Sequence, residues 1–128
     1  MENKKSAAGV ILICNEKVLL AKRSYKCNYP HKWAVIGGAI DENETSLMTI
    51  KRELKEETQI ESKDIQFVFF EKQLGMDRPF DLYLGFCDEE YSCILDHEND
   101  DWGWFSLDNL PRPLFPTLNK TLQKIFKK

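Results

Sequence analysis

The stretch from Gly37 to Ile60, GGAIDENETSLMTIKRELKEETQI, constrains this chain more than any other. A glycine pair leads into a polar turn, and the turn into a helix that carries Arg52, Glu53, Glu56 and Glu57. Residues three and four apart on a helix share a face, so Glu53, Glu56 and Glu57 project together, within about 100° of one another. Leu47, Ile50 and Leu54 form a second stripe, roughly 100° around the helix from the carboxylates. One side of this helix needs a core, and the adjoining side gathers like charges. Clustered carboxylates raise each other's pKa and cost stability unless something neutralises them. A hard divalent cation does so, because Mg²⁺ and Mn²⁺ prefer oxygen ligands and keep open positions for water and phosphate. Gly37 and Gly38 let the backbone bend tightly or come close to another group. Without its spacing, KRELKEE would read as a solvated helix face paired through Lys51 and Lys55.

With its spacing, the stretch resembles the Nudix box, G-x5-E-x7-R-E-U-x-E-E-x-G-U, where U is a bulky aliphatic residue. Gly38, Glu44, Arg52, Glu53, Leu54, Glu56, Glu57 and Ile60 stand at the required positions. Gln59 replaces the second glycine. At residue usage of roughly 5–7% per type, chance agreement at the fixed Gly, Glu and Arg positions has odds on the order of 10⁻⁷ to 10⁻⁸ per register.

The resemblance implies an α/β/α sandwich with a mixed sheet, the box as a loop–helix–loop and a C-terminal helix. It implies metal-dependent hydrolysis of a nucleoside diphosphate linked to another group. Such chemistry neutralises phosphate charge, aligns the nucleophile and lowers the pKa of a bound water. By the resemblance, Glu53, Glu56 and Glu57 hold Mg²⁺ or Mn²⁺, with Gly38 supplying a close backbone approach through its carbonyl. Glu53 or Glu98 draws the proton from water. Arg52 orients the box by pairing with carboxylates such as Glu53 or Glu56, because its fork suits bidentate pairing. Glu44 supports from behind. Family members often carry an acidic residue shortly before a Trp-containing strand; Glu98 fits that place best, with Asp100 and Asp101 as alternatives and a merely solvated loop as the plain reading. The loop before Trp33 borders the substrate pocket in this family, which brings Tyr25, Tyr29 and His31 into view. Arg23, Tyr25 and Trp102 are the candidate substrate contacts. Packing is the simpler role for Trp102, and His97 reads as a bystander in its loop.

The length of 128 residues suits one domain, taken as 1–128. A net charge of −3 gives no sign of bulk attraction to nucleic acid. Lys22, Arg23, Lys26 and Lys32 would supply the basic path that an RNA 5′-end enzyme needs. The charged N-terminus with its short apolar run is neither a secretory signal nor a membrane span. Cys14, Cys27, Cys87 and Cys93 show no zinc spacing, and Cys14 and Cys87 read as reduced core thiols, so the expected compartment is the cytoplasm. The partner expected is a small nucleotide, with no membrane, and the oligomeric state is monomer or homodimer.

In chain order, Ala7 to Cys14 and Lys17 to Arg23 read as strands joined by a turn at Asn15-Glu16. Ser24 to Lys32 is a loop, and Trp33 to Val35 a short strand feeding the glycine pair, with Ile36 where the family usually has Pro. Asn43 or Thr45 can cap the central helix, which ends near Thr58. Gln59 disfavours the left-handed conformation that a glycine would adopt there, so a different, longer helix exit is expected. Ile65 to Leu74 and Phe80 to Cys87 are strands around a turn at Gly75 to Pro79. Trp102 to Phe105 is the core of a further strand, and Thr117 to Lys128 an amphipathic closing helix through Leu118, Leu122 and Phe126.

A compact chain without an extra N-terminal domain looks more like the MutT-like members that cleave nucleoside triphosphates. The proline that the family's ADP-ribose subgroup tends to carry about fifteen residues after the box is absent at Leu74-Gly75-Met76. The favoured reading is therefore a (d)NTP pyrophosphohydrolase that releases nucleoside monophosphate and pyrophosphate in nucleotide-pool housekeeping. ADP-ribose, nucleotide-sugar and RNA 5′-end hydrolysis are the alternatives. A Nudix module that binds nucleotide without cleaving it is another class, and would show a lost box carboxylate; none is lost here. A purely structural acidic helix would bind no metal.

Overall fold

The computed structural model describes residues 5–74 and 78–127. The turn expected at Gly75 to Pro79 lies mostly outside these residues. Strands β1 (Ala7–Cys14) and β2 (Lys17–Arg23) have the bounds read from the sequence. They form a two-residue hairpin in which Asn15 and Glu16 both take positive φ, 53° and 63°, the geometry that matches strand twist. Strands β3 (Trp33–Ala34) and β4 (Ile36–Ala39) follow, then helix α1 (Ser46–Thr58), β5 (Gln66–Gln73), β6 (Phe80–Phe86), β7 (Asn99–Ser106), a short 3₁₀ turn at Leu107–Asn109, and helix α2 (Leu118–Ile125).

The strands make one mixed sheet, ordered β3-β2-β1-β6-β5, with β4 also paired to β1 and β7 to β2. β1 and β6 are parallel, and the other pairs antiparallel. Alternation along each strand sends side chains to opposite faces. Val10, Leu12, Leu19 and Ala21 face α1 and meet Ile50 and Leu54, both fully buried. Ile11, Val18, Leu20 and Leu82 face α2 and meet Leu118 and Leu122. The result is the expected α/β/α sandwich. Cys14 is buried and Cys87 half-buried, and all four thiols are free.

The structure chooses between two open readings and corrects two expectations. Gly37 and Gly38 do not form a turn; they lie inside β4, paired with Gly9 and Ala8 of β1. A Cβ on Gly37 would lie 2.7 Å from Gly9 Cα, so close approach of two strands is what this glycine provides. The helix exit is not lengthened either. Gln59 itself takes the left-handed conformation, φ 65° and ψ 14°, and its N–H donates to Lys55 O at 2.9 Å. The side chain is exposed and clears the turn, so the main-chain hydrogen bond outweighs the steric cost of about 1–2 kcal/mol. Finally, β4 extends past the expected short strand at Trp33 to Val35, because β1 offers it a full antiparallel partner. At the other end of α1, Thr45 is the N-cap and accepts from Met48 N at 3.1 Å.

Candidate active site

The box residues converge where α1 crosses β4. The contact is close because Gly38 has no side chain: a Cβ there would lie 2.6 Å from Glu53 Cδ. The Glu53 carboxylate therefore rests against the strand. Arg52 is the hub of the surrounding polar network. Its Nε donates to Glu44 Oε2 at 2.7 Å and its Nη2 to Glu44 Oε1 at 3.1 Å, a bidentate pair. Nη1 donates to Glu53 Oε2 at 3.0 Å and Glu56 Oε1 at 3.3 Å, and Nη2 also reaches Ala39 O at 3.1 Å. One guanidinium thus ties helix, loop and strand together.

Glu44 is held further by Thr49 Oγ1 at 2.8 Å and by the Asp41 N–H at 3.1 Å. Hydrogen bonds from Arg52, then Thr49, then the Asp41 amide lower its pKa to about 2, so it stays ionised. The same pairing raises Arg52.

Glu53 and Glu57 behave in the opposite way. Both are buried. Burial raises the Glu53 pKa. Burial first, and the hydrogen bond with Glu53 second, push Glu57 up to about 10. Burial thus favours the neutral form of Glu57 in the absence of a cation. Asn99 Nδ2 donates to Glu57 Oε1 at 2.8 Å, whereas Oε2 is buried without a partner. Glu56, one position back, is exposed.

A buried carboxylate pair with an orphaned oxygen, beside a third carboxylate and a main-chain approach at Gly38, is a donor set that suits a hard cation. Among the described residues no three His, Cys, Asp or Glu side chains already converge in ligand geometry. Arg52 holds Glu53 and Glu56. The fit rests on the donor chemistry and on the orphaned Oε2.

Glu98 precedes β7 and lines a cleft that opens beside Gly38. Its main chain is held at both ends: its N–H donates to Asp96 Oδ1 at 3.0 Å, and its carbonyl accepts from the Ser24 N–H at 2.9 Å. Its charge contributes to raising both Glu53 and Glu57. Asp100 and Asp101 are exposed on β7. A register shift between Lys22 and Arg23, at which Asp100 is the extra residue, brings Asn99 opposite Arg23 and turns it toward Glu57.

The cleft has a volume of about 230 Å³. Its lining includes Arg23, Asn28, Tyr29 and Phe115 together with Gln73, Arg78, Phe80 and Thr121. Arg23 lies 5.7 Å above the Phe115 ring and donates to Asn28 O at 2.6 Å. Tyr29 meets Phe115 edge-on at 4.8 Å. Tyr29 and Thr117 both take positive φ, 53° and 71°, a strained conformation for a β-branched threonine. Of the three substrate candidates, Arg23 lines this cleft. Tyr25 points to solvent, 72% exposed, and Trp102 packs half-buried against the core under α1. His31 and His97 are exposed.

Sequence reasoning passed over Asn99, Thr49 and the cleft residues Asn28, Gln73, Phe115 and Thr121. Thr49 sits one helical turn before Glu53, a spacing that was available. Nothing local marks the others, because they meet only through the sheet.

A model of the NUDIX domain matches residues 3–127. The chain belongs to the Nudix family. Its fold is similar to that of the MutT NUDIX hydrolase of Burkholderia pseudomallei, with a TM-score of 0.76 at 20% identity over 97% of this chain and 99% of that one. The C. elegans Ap4A hydrolase gives 0.76 at 22% identity over 93% and 94%. The Nudix hydrolase RenU of M. smegmatis gives 0.77 at 20% identity over 98% and 85%. As a Nudix pyrophosphohydrolase, the chain hydrolyses nucleoside diphosphates linked to another group, in a family that generally requires a divalent metal. No helix among the described residues is long and apolar enough to cross a membrane.

Proposed function

We propose that this Nudix hydrolase cleaves nucleoside and deoxynucleoside triphosphates to the monophosphate and pyrophosphate. The observation that carries the reading is that the cleft reaches the edge of the box: Gly38, against which Glu53 rests, and Glu98 line the same cavity as Arg23, Tyr29 and Phe115. At about 230 Å³ the cavity is smaller than pockets that enclose a whole drug-sized ligand, typically about 300 Å³ or more. It suits a base and sugar, with the phosphates left at the carboxylate end. MutT and Ap4A hydrolases among the similar structures support a nucleotide with a phosphate chain.

Glu53, Glu56 and Glu57, with Glu98 and the Gly38 carbonyl, would hold Mg²⁺ or Mn²⁺. When bound, such an ion shields the phosphate charge and makes a bound water more acidic. Arg52 keeps Glu53 and Glu56 aligned from behind. Asn99 orients Glu57 through Oε1 and leaves Oε2 free for the cation. Water forms a new P–O bond, the anhydride P–O bond breaks, and pyrophosphate leaves with the bonding pair. Glu53 or Glu98 takes the proton.

The test is phosphate and pyrophosphate release from a panel: NTPs, dNTPs, 8-oxo-dGTP, ADP-ribose, UDP-glucose, diadenosine polyphosphates and triphosphorylated RNA. It is run with Mg²⁺ and with Mn²⁺, beside Glu57→Gln. A triphosphate as best substrate, with turnover lost in Glu57→Gln, is expected. ADP-ribose, a nucleotide sugar or RNA as best substrate overturns the proposal.

A further inference from the structure

The end of the cleft away from the carboxylates holds a side chain whose orientation its neighbours dictate. Gln73 Nε2 donates to Glu71 Oε2 at 2.9 Å and to Thr121 Oγ1 at 3.1 Å. A carboxylate only accepts, so the amide nitrogen, and not the oxygen, must face Glu71. Both amide hydrogens are thereby used. Glu71 is itself secured by Lys124 Nζ at 2.7 Å, and the ion pair with Lys124, followed by the bond from Gln73, lowers its pKa. Lys124 and Thr121 belong to one face of α2, so the helix holds the whole chain of bonds. Gln73 Oε1 is left as an acceptor without a partner among the described residues, and it is not one of the buried orphans.

A bulge is what brings Gln73 here. β5 shifts register against β6 between Phe69 and Glu71. Phe67 packs on the α1 side. Strict alternation would put Gln73 on that side too. After the bulge, Glu71 and Gln73 oppose Leu82 and Phe80, which belong to the α2 side. Across the sheet, Gln73, Phe80, Ala7 and Ala39 stand in one row. Three strand spacings separate Gln73 from β4, about 14 Å. That span suits an extended nucleotide with its phosphates beside Gly38 and its base edge at Gln73.

We infer that Gln73 is the specificity-determining residue of the cleft and selects nucleotides whose base carries an amino group. This rests on the nucleotide reading above and adds the base class to it. An acceptor backed by the Glu71 carboxylate favours the N–H₂ edges of adenine, cytosine and guanine. The lone ring N–H of uracil or thymine is flanked by carbonyl oxygens, which that edge repels. Tyr29 and Phe115 supply apolar surface for any base, so they do not distinguish among them.

Two measurements on the full chain test this. The first is kcat/KM for ATP, CTP, GTP, UTP and dTTP in the wild type and in Gln73→Met, which keeps length and removes the acceptor. The second is equilibrium binding of AMP, CMP, GMP and UMP, which reads the base end whatever bond is cleaved. The wild type should favour the amino-bearing bases over uracil by ~10-fold in both, the scale of one well-placed hydrogen bond, and Gln73→Met should bring the ratio close to one. Equal handling of UTP and ATP by the wild type overturns the inference while leaving triphosphate hydrolysis standing. So does a folded Gln73→Met that keeps the ratio. If no triphosphate is turned over but monophosphate binding shows the Gln73-dependent preference, the reaction proposal falls and the inference stands. Absence of any base preference in monophosphate binding overturns it. Should Gln73→Met fail to melt cooperatively, Thr121→Val replaces it: freeing one amide hydrogen lets the amide rotate and must lower the ratio, and an unchanged ratio is the contrary result.

Discussion

Glu57 combines two demands that conflict. Its burial lets it present an oxygen to a cation, and the same burial makes its charge costly in the cation's absence. The pKa of about 10 lies above the ordinary carboxylate value of 4.5, so the folded chain retains a proton the unfolded chain releases. That proton's contribution to stability is full below pH 4.5 and is lost as pH rises toward 10. Metal-free wild type should therefore lose melting temperature relative to Glu57→Gln between those limits, with the two proteins alike at acid pH. The variant should be the more stable at pH 9 and inactive as a hydrolase. Thermal melts across pH in chelator check the first statement and pyrophosphate release the second. A variant less stable than wild type at pH 9 would show that the buried charge is compensated by something other than the proton. Arg52 shows a different economy of groups, with one fork holding Glu44 in two bonds and reaching Glu53 and Glu56. A lysine keeps the charge and loses the fork. Arg52→Lys should leave the fold intact and lower kcat/KM by about 10–100-fold, the usual effect of removing a group that orients ligands. Steady-state kinetics beside circular dichroism read this directly.

At the scale of the element, α1 is a helix whose ends are both shaped by the site. Thr45 caps it through Met48 N, and Glu44, the residue before the cap, is drawn back onto Arg52 and Thr49. The far end closes on Gln59 in a left-handed conformation. Gln59→Gly should raise stability by about 0.5–1 kcal/mol, since relief of the steric cost outweighs the added freedom of glycine in the unfolded chain. Urea denaturation checks it, and a loss of stability would mean that the Gln59 side chain makes a contribution its exposed position hides. Bulges act on strands as caps do on helices. The shift opposite Arg23 delivers Asn99 to Glu57, and the shift in β5 delivers Gln73 to the cleft.

For the whole molecule, the sheet carries a core on each face. Ile50 and Leu54 seal one, and Leu118 and Leu122 the other. β1 contributes to both, with Leu12 under α1 and Ile11 under α2. Loss of either layer should therefore be felt across the sheet. Leu122→Ala should cost about 2–5 kcal/mol and leave a single unfolding transition. Chemical denaturation followed by tryptophan fluorescence measures it; two separated transitions would mean that the α2 layer unfolds independently. The site uses both layers as well: the carboxylates come from the α1 side, and the far end of the cleft from α2.

The sequence alone determined what depends on short spacing. Helical periodicity puts Glu53, Glu56 and Glu57 on one face. The hairpin at Asn15-Glu16 and the core stripe of Ile50 and Leu54 follow from the same kind of local rule. Tertiary structure decided what depends on strands far apart in the chain. Gly37 and Gly38 were legible as a close approach, but only pairing with β1 makes that approach a strand and not a turn. Asn99 beside Glu57, and Gln73 turned onto the α2 face, follow from bulges whose register is set by partner strands. Asp100 and Asp101 have the same carboxylate chemistry as Glu98 and sit close by in sequence, yet both lie on β7 in solvent, Asp100 as the extra residue of the bulge. Local sequence carries periodicity because the helix repeat is intrinsic to the backbone. It does not carry register across a sheet, because that is settled by how neighbouring strands bury their side chains together.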